Sequence, residues 1–240
     1  MVAVIDPHIK DLIRNFLQYD APQRNGHLET VILCGSHATG QATVTSDIDL
    51  CYIGTFPTFK RENIVFQGND FELMVAPWSW YEQVVSERKW ANNIGTPMVM
   101  LAQGRCVWGN SEKWVTLQKL VQDIYNAGPV QASNEDIRRI RFHLTNLWDD
   151  YCDKENQTER QLLAVYVIQT CIESLFVLRQ WWAVKPKYQL VDLRSKDAYL
   201  SYKLEQCIQT LGADQEVLRD LCTYVLNPVG GWLRESWKTE

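Results

Sequence analysis

The chain has 240 residues, 46% of them hydrophobic and 22% charged, with a formal net charge of −5. This describes a folded protein with room for one large domain or two modest ones, and it excludes an extensively disordered chain. The acidic balance argues against a broad electrostatic footprint for nucleic acid, so no nucleic-acid partner is expected.

Asp6 and Pro7 read as the N-cap and first-turn proline of a helix over residues 6–19, with Ile9, Leu12, Ile13, Phe16 and Leu17 at helical spacing. Asp6, Lys10 and Asp11 interrupt any signal-peptide pattern, and seven scattered cysteines without a Cys-x-x-Cys pair suit a reduced, cytoplasmic protein. Residues 21–29 read as a polar loop. The apolar, β-branched run Val31-Ile32-Leu33-Cys34 then predicts a strand buried on both faces. Gly35-Ser36 follow where a strand would turn into a short helix. Residues 47–54 predict a second strand, and residues 62–67 and 70–76 a hairpin turning at Gly68-Asn69. Helices over 79–90 and 96–103, a short strand over 105–108 and a helix over 112–125 complete the first half. Ala127-Gly128-Pro129 marks a domain boundary, giving an N-terminal domain over 1–128 and a helical domain over 129–240.

Beyond the boundary all signals are helical. Asn134 reads as the cap of a helix to Tyr151, and Thr158 as the cap of a long apolar helix to residue 182 that Lys185-Pro186-Lys187 ends. Two more helices follow near 195–211 and 214–226, then an irregular tail after Asn227-Pro228. Glu173 and Arg179 interrupt the most apolar stretch, so no membrane span is expected. The fold class is α+β: a mixed β-sheet with flanking helices, then a helical bundle.

The chemistry concentrates between Gly35 and Glu72. A glycine at a strand end lets a bulky anion approach the backbone, and Ser36 adds a hydroxyl beside free N–H groups. Asp47 and Asp49 alternate with Ile48 and Leu50, which puts both carboxylates on one face of a strand. Two carboxylates so placed repel unless cations lie between them, and beside a phosphate cradle the natural cation is magnesium. Glu72, flanked by Phe71 and Leu73, shares a strand face with Asp70 and Met74.

An apolar strand, Gly35-Ser36, a spacer of about ten residues and Asp47-x-Asp49 resemble the signature of the DNA polymerase beta-like nucleotidyltransferase superfamily. The two-domain plan resembles its small-acceptor members, such as the kanamycin and lincosamide nucleotidyltransferases. The resemblance implies transfer of a nucleoside monophosphate from a triphosphate, ATP first among them, to a small-molecule hydroxyl with release of pyrophosphate. It implies two magnesium ions on Asp47 and Asp49, with Glu72 preferred to Asp70 as a third carboxylate serving first as general base and second as metal ligand. Gly35 and Ser36 would hold the triphosphate, and Lys185 and Lys187 would add charge from the helical domain. A protein side chain as acceptor, as in antitoxin-type members, and a non-catalytic nucleotide- or partner-binding module are the competing readings. A homodimer is compatible with all three.

Overall fold

The computed structural model describes residues 5–86, 96–109, 112–211 and 213–238. Contacts divide these into two compact units, the first ending at Gly128 and the second beginning at Pro129.

The first unit is built on a five-stranded mixed sheet. In chain order it holds helix α1 (Pro7–Asp20), strand β1 (Leu28–Leu33), helix α2 (Gly35–Thr39), strands β2 (Ile48–Gly54), β3 (Lys60–Phe66) and β4 (Asn69–Pro77), helices α3 (Trp78–Ser86) and α4 (Thr96–Gln103), strand β5 (Arg105–Trp108) and helix α5 (Glu112–Ala127). Residues 87–90 of the expected helix over 79–90 lie outside the described residues. The strand order is β3-β4-β2-β1-β5, with β2 and β4 parallel and the other pairs antiparallel.

Asp6 caps α1 by accepting from the His8 N–H at 2.8 Å, with Pro7 in the first turn. Leu12, Ile13, Phe16 and Leu17 of α1 pack on Val31, Leu33, Leu50, Phe71, Leu73 and Val75, and Phe16 stacks on Phe71 at 4.0 Å. Fully burying each such side chain is worth about 1.5–3 kcal/mol. The opposite sheet face carries Cys34, Cys51 and Met74, and Tyr81 of α3 fixes itself there by donating to the Met74 carbonyl at 2.7 Å.

Two local expectations are corrected. Residues 21–29 are not all loop: Ala21–Arg24 form a 3-10 turn, and β1 begins at Leu28. The hairpin turns at Gln67-Gly68, not at Gly68-Asn69. Both residues have positive φ, 51° and 76°, as a type I′ turn requires.

The second unit contains α6 (Asn134–Asp153), α7 (Gln157–Leu178), α8 (Pro186–Lys196), α9 (Ala198–Gln209) and α10 (Gln215–Leu226) around a core that includes Leu144, Tyr151, Val167, Cys171, Leu175, Leu204, Cys207, Leu218 and Cys222. Ser133, not Asn134, caps α6 in a reciprocal capping box with Asp136. Asn156, not Thr158, caps α7, accepting from the Thr158 and Glu159 N–H groups. By length and composition α7 could cross a membrane, yet Val167, Ile168, Cys171, Leu175 and Phe176 lie in this unit's core. It ends at Leu178 because Gln180 adopts φ 53°. The Trp181 and Gln180 N–H groups then bond back to the Phe176 and Val177 carbonyls, closing a Schellman motif. Pro186, expected as part of a helix stop, instead opens a further helix, α8. The tail is not released: Arg141 donates to the carbonyls of Gly230, Gly231 and Trp232, and Leu233 N–H to the Thr145 hydroxyl.

Candidate active site

The site is assembled at one end of the sheet, where β1 finishes and β2 and β4 begin. Because β2 and β4 run parallel in register, Asp49 stands beside Glu72 on adjacent strands. Asp47 falls one residue before β2 and is exposed, not inside the strand. The turn that delivers it is closed by Ser46 N–H to the Thr43 carbonyl at 3.0 Å, and by Thr43 N–H to the Ser46 hydroxyl at 2.9 Å. One carboxylate oxygen from each of Asp47, Asp49 and Glu72 lies within 4.8 Å of the other two. Unit charges that close repel by about 3 kcal/mol per pair at an effective dielectric of about 20, and by about 1 kcal/mol or less where water screens them, as at exposed Asp47. Hard oxygen donors gathered at this spacing are the ligand type that magnesium takes.

Gly35 and Asp49 are fitted to each other. The Cys34 N–H donates to the Asp49 carbonyl at 2.8 Å, which brings the end of β1 against β2. Gly35 then takes φ +64°, and a Cβ there would stand 1.9 Å from Asp49 Oδ2. The glycine therefore makes room for the aspartate carboxylate as well as for anything that approaches the backbone. Ser36, buried, is the second residue of the single helical turn of α2. Arg105 of β5 pins that turn by donating from Nε to the Ala38 carbonyl at 3.0 Å. His37 Nε2 lies 3.4 Å from the Ser46 carbonyl, so it braces the loop.

Behind the carboxylates, the Cys34 and Cys51 sulfurs lie 3.4 Å apart in a fully buried pair. Burial pushes the Cys34 thiol well above its ordinary range, with the Cys51 thiol and the Asp49 charge acting in the same direction. Such a thiol is a small packing group and not a nucleophile.

Asp70, the alternative to Glu72, is exposed near the turn, opposite Val65, and outside the group of three. Lys185 and Lys187 belong to the helical unit and are exposed. Lys185 is the N-cap residue of α8 and Lys187 lies in its first turn, with its ammonium 5.0 Å from the Tyr188 ring centre. A helix start is where the macrodipole disfavours cations, so helix-end stabilisation does not account for them. Three arginines of α6 are engaged within the helical unit. Arg138 and Arg139 pair with Glu135, and Arg141 holds the tail.

One partner of the site escaped the sequence reading. Arg61 of β3 makes an ion pair with Glu72. Its signal lay in the hairpin register: the observed turn sets Asn63 opposite Glu72 and Arg61 one diagonal away, whereas a turn at Gly68-Asn69 would set Val65 there.

Residues 13–90 match the model of the nucleotidyltransferase domain family. No match was found among curated proteins. Among solved structures, a nucleotidyltransferase-like protein from Exiguobacterium sibiricum 255-15 is similar at 11% identity and a TM-score of 0.46, over 92% of this chain and 75% of that one. The segment matched to the family holds Gly35, Ser36, Asp47, Asp49 and Glu72, and it supports a transferase of the nucleotidyltransferase type.

Proposed function

We propose that this chain moves a nucleoside monophosphate, AMP from ATP in the first instance, onto a hydroxyl of a small acceptor. The observation that carries the reading is the convergence of Asp47, Asp49 and Glu72 beside Gly35-Ser36. Asp47, Asp49 and Glu72 are the residues to hold magnesium, two ions in our reading. Bound there, magnesium supplies positive charge to the triphosphate and acidifies the acceptor hydroxyl. Gly35 and Ser36 hold the outer phosphates through backbone N–H groups and the Ser36 hydroxyl. The acceptor oxygen forms a bond to the α-phosphorus as the bond to the bridging oxygen breaks. Pyrophosphate leaves with that electron pair, and the hydroxyl proton passes to solvent. Between the two roles open to Glu72, its closeness to both aspartates favours ligand over base. All seven cysteines are free thiols, which suits a cytoplasmic setting.

The test is pyrophosphate release from each of the four ribonucleoside triphosphates, with magnesium, against a panel of hydroxylated small molecules. The reading expects one triphosphate and one acceptor class to stand well above the rest. Release with protein substrates alone would move the acceptor to a protein side chain. Magnesium-independent release would remove the metal reading.

A further inference from the structure

One carboxylate of the site, that of Glu72, already has a cation against it. Arg61 stands on the edge strand β3 opposite Met74, and its guanidinium reaches diagonally to Glu72. The Arg61 side chain is 67% exposed and that of Glu72 only 27%, so the carboxylate is the fixed partner and the guanidinium the movable one. A divalent ion shared among Asp47, Asp49 and Glu72 would meet this guanidinium on one of its three ligands. Two cations on one carboxylate repel, so metal and Arg61 compete for Glu72.

Displacement does not send the guanidinium far. Arg61 is fixed at its backbone by the β3–β4 ladder, and only rotation of the side chain separates its bound from its free positions. Three carboxylates together with a triphosphate outweigh two divalent ions, so the loaded site still attracts a cation. A guanidinium fork matches phosphate oxygens as well as it matches a carboxylate.

We propose that Arg61 exchanges partners during binding: it holds Glu72 in the metal-free chain and turns to the nucleotide phosphates once a divalent ion takes that carboxylate. This rests on the metal reading of the three carboxylates given above. Lys60, the neighbouring cation, pairs with Val75 on the opposite sheet face and takes no part.

The exchange gives Arg61→Gln effects of opposite sign on two affinities. Calorimetric titration is made first with Mn²⁺ alone, then with the best-bound triphosphate at saturating Mn²⁺ and no acceptor. Arg61→Gln should bind Mn²⁺ alone about three- to tenfold tighter and the Mn²⁺–triphosphate about tenfold weaker. Arg61→Lys should fall between, and Lys60→Gln, with the same loss of charge, should match the wild type in both. Unchanged or weaker Mn²⁺ binding by Arg61→Gln, or unchanged or tighter triphosphate binding, overturns the exchange while leaving the metal reading in place. Absence of Mn²⁺ binding from wild type and Arg61→Gln alike overturns the metal reading and the exchange with it.

Discussion

In the helical unit, cations are set against carboxylates: Arg138 and Arg139 against Glu135, Arg194 against Glu205, Lys196 against Asp192, Lys203 against Asp220, and Arg234 in a two-pronged pair with Asp149 at 2.6 and 2.7 Å. In the sheet unit, three carboxylates of the same sign are drawn within 4.8 Å of one another. The first arrangement lowers the energy of the fold a little at each pair, because exposed ion pairs are worth about 0–1 kcal/mol. The second raises it and is worth keeping only if something cationic is to be bound. The contrast separates charge used as fastening from charge used as a site, and each half of it can be broken by substitution.

The largest effect is expected where like charges meet. Asp49→Asn or Asp47→Asn should lower transfer by about a thousandfold or more, since either removes a charge that acts on the transition state. For Asp47, exposed at the site, the same change should raise the melting temperature in EDTA by about 1–2 °C through relief of repulsion. Steady-state rates and thermal melts with and without metal check both signs. Loss of activity together with loss of stability would make Asp47 a structural residue.

Gly35 and Gly231 sharpen the comparison with one kind of change. Both have positive φ, +64° and +72°, but a Cβ on Gly35 meets Asp49 at 1.9 Å, while the nearest atom to one on Gly231 is 4.0 Å away. Gly35→Ala should cost about 1–3 kcal/mol of stability and about a hundredfold in rate, because Asp49 must move. Gly231→Ala should cost about 1 kcal/mol of stability and leave the rate unchanged. Denaturant titration and kinetics on the pair separate steric fit at the site from backbone strain alone.

Fastening in the helical unit should break without loss of chemistry. Arg141→Met removes the donations to the Gly230, Gly231 and Trp232 carbonyls and the pair with Glu235. A destabilisation of about 1–3 kcal/mol is expected, with the rate per folded molecule near that of wild type.

Smaller still is the pH response of the same fastenings. Hydrogen bonds from Arg234 hold Asp149 below its ordinary value, and the Ser133 hydroxyl and N–H do the same for Asp136. A depressed carboxylate stabilises the fold above its unfolded value, about pH 4, and that share is lost as pH falls through the lower folded value. Asp149→Asn should therefore melt slightly below wild type at pH 7 and converge with it as pH falls well below that unfolded value. Salt should shrink the difference, because Asp149 and Arg234 are largely exposed.

What could be read in the sequence was what short-range chemistry dictates. Asp6-Pro7 marked the start of α1, the stripe Trp114, Leu117, Val121 and Ile124 marked α5, and the β-branched run before Gly35-Ser36 marked β1. Period-two alternation also put Asp49 on one face of its strand, away from Ile48 and Leu50, and Glu72 on a face with Met74. Their adjacency depends on the parallel register of β2 and β4, which is non-local and leaves no trace in either strand. Arg61 was missed for a more local reason. Gln67 takes the left-handed conformation that Gly or Asn usually supplies, so the turn was placed one residue late and the pairing slipped by two. Gln180 hides the end of α7 in the same way, standing where a C-terminal glycine is usual. Pro186 fits a helix stop as well as a helix start, and only its neighbours decide that it is the first residue of α8.

The central claim is that the three carboxylates form a metal site for a nucleoside triphosphate. It is tested most directly by calorimetric titration of ATP, GTP, CTP and UTP into wild type and Asp49→Asn, each with magnesium and with EDTA. The account predicts that at least one triphosphate binds wild type with magnesium, and that this affinity falls by about a hundredfold or more both in EDTA and in Asp49→Asn with magnesium present. Equal affinity for that nucleotide in EDTA, or undiminished affinity in Asp49→Asn, would contradict it.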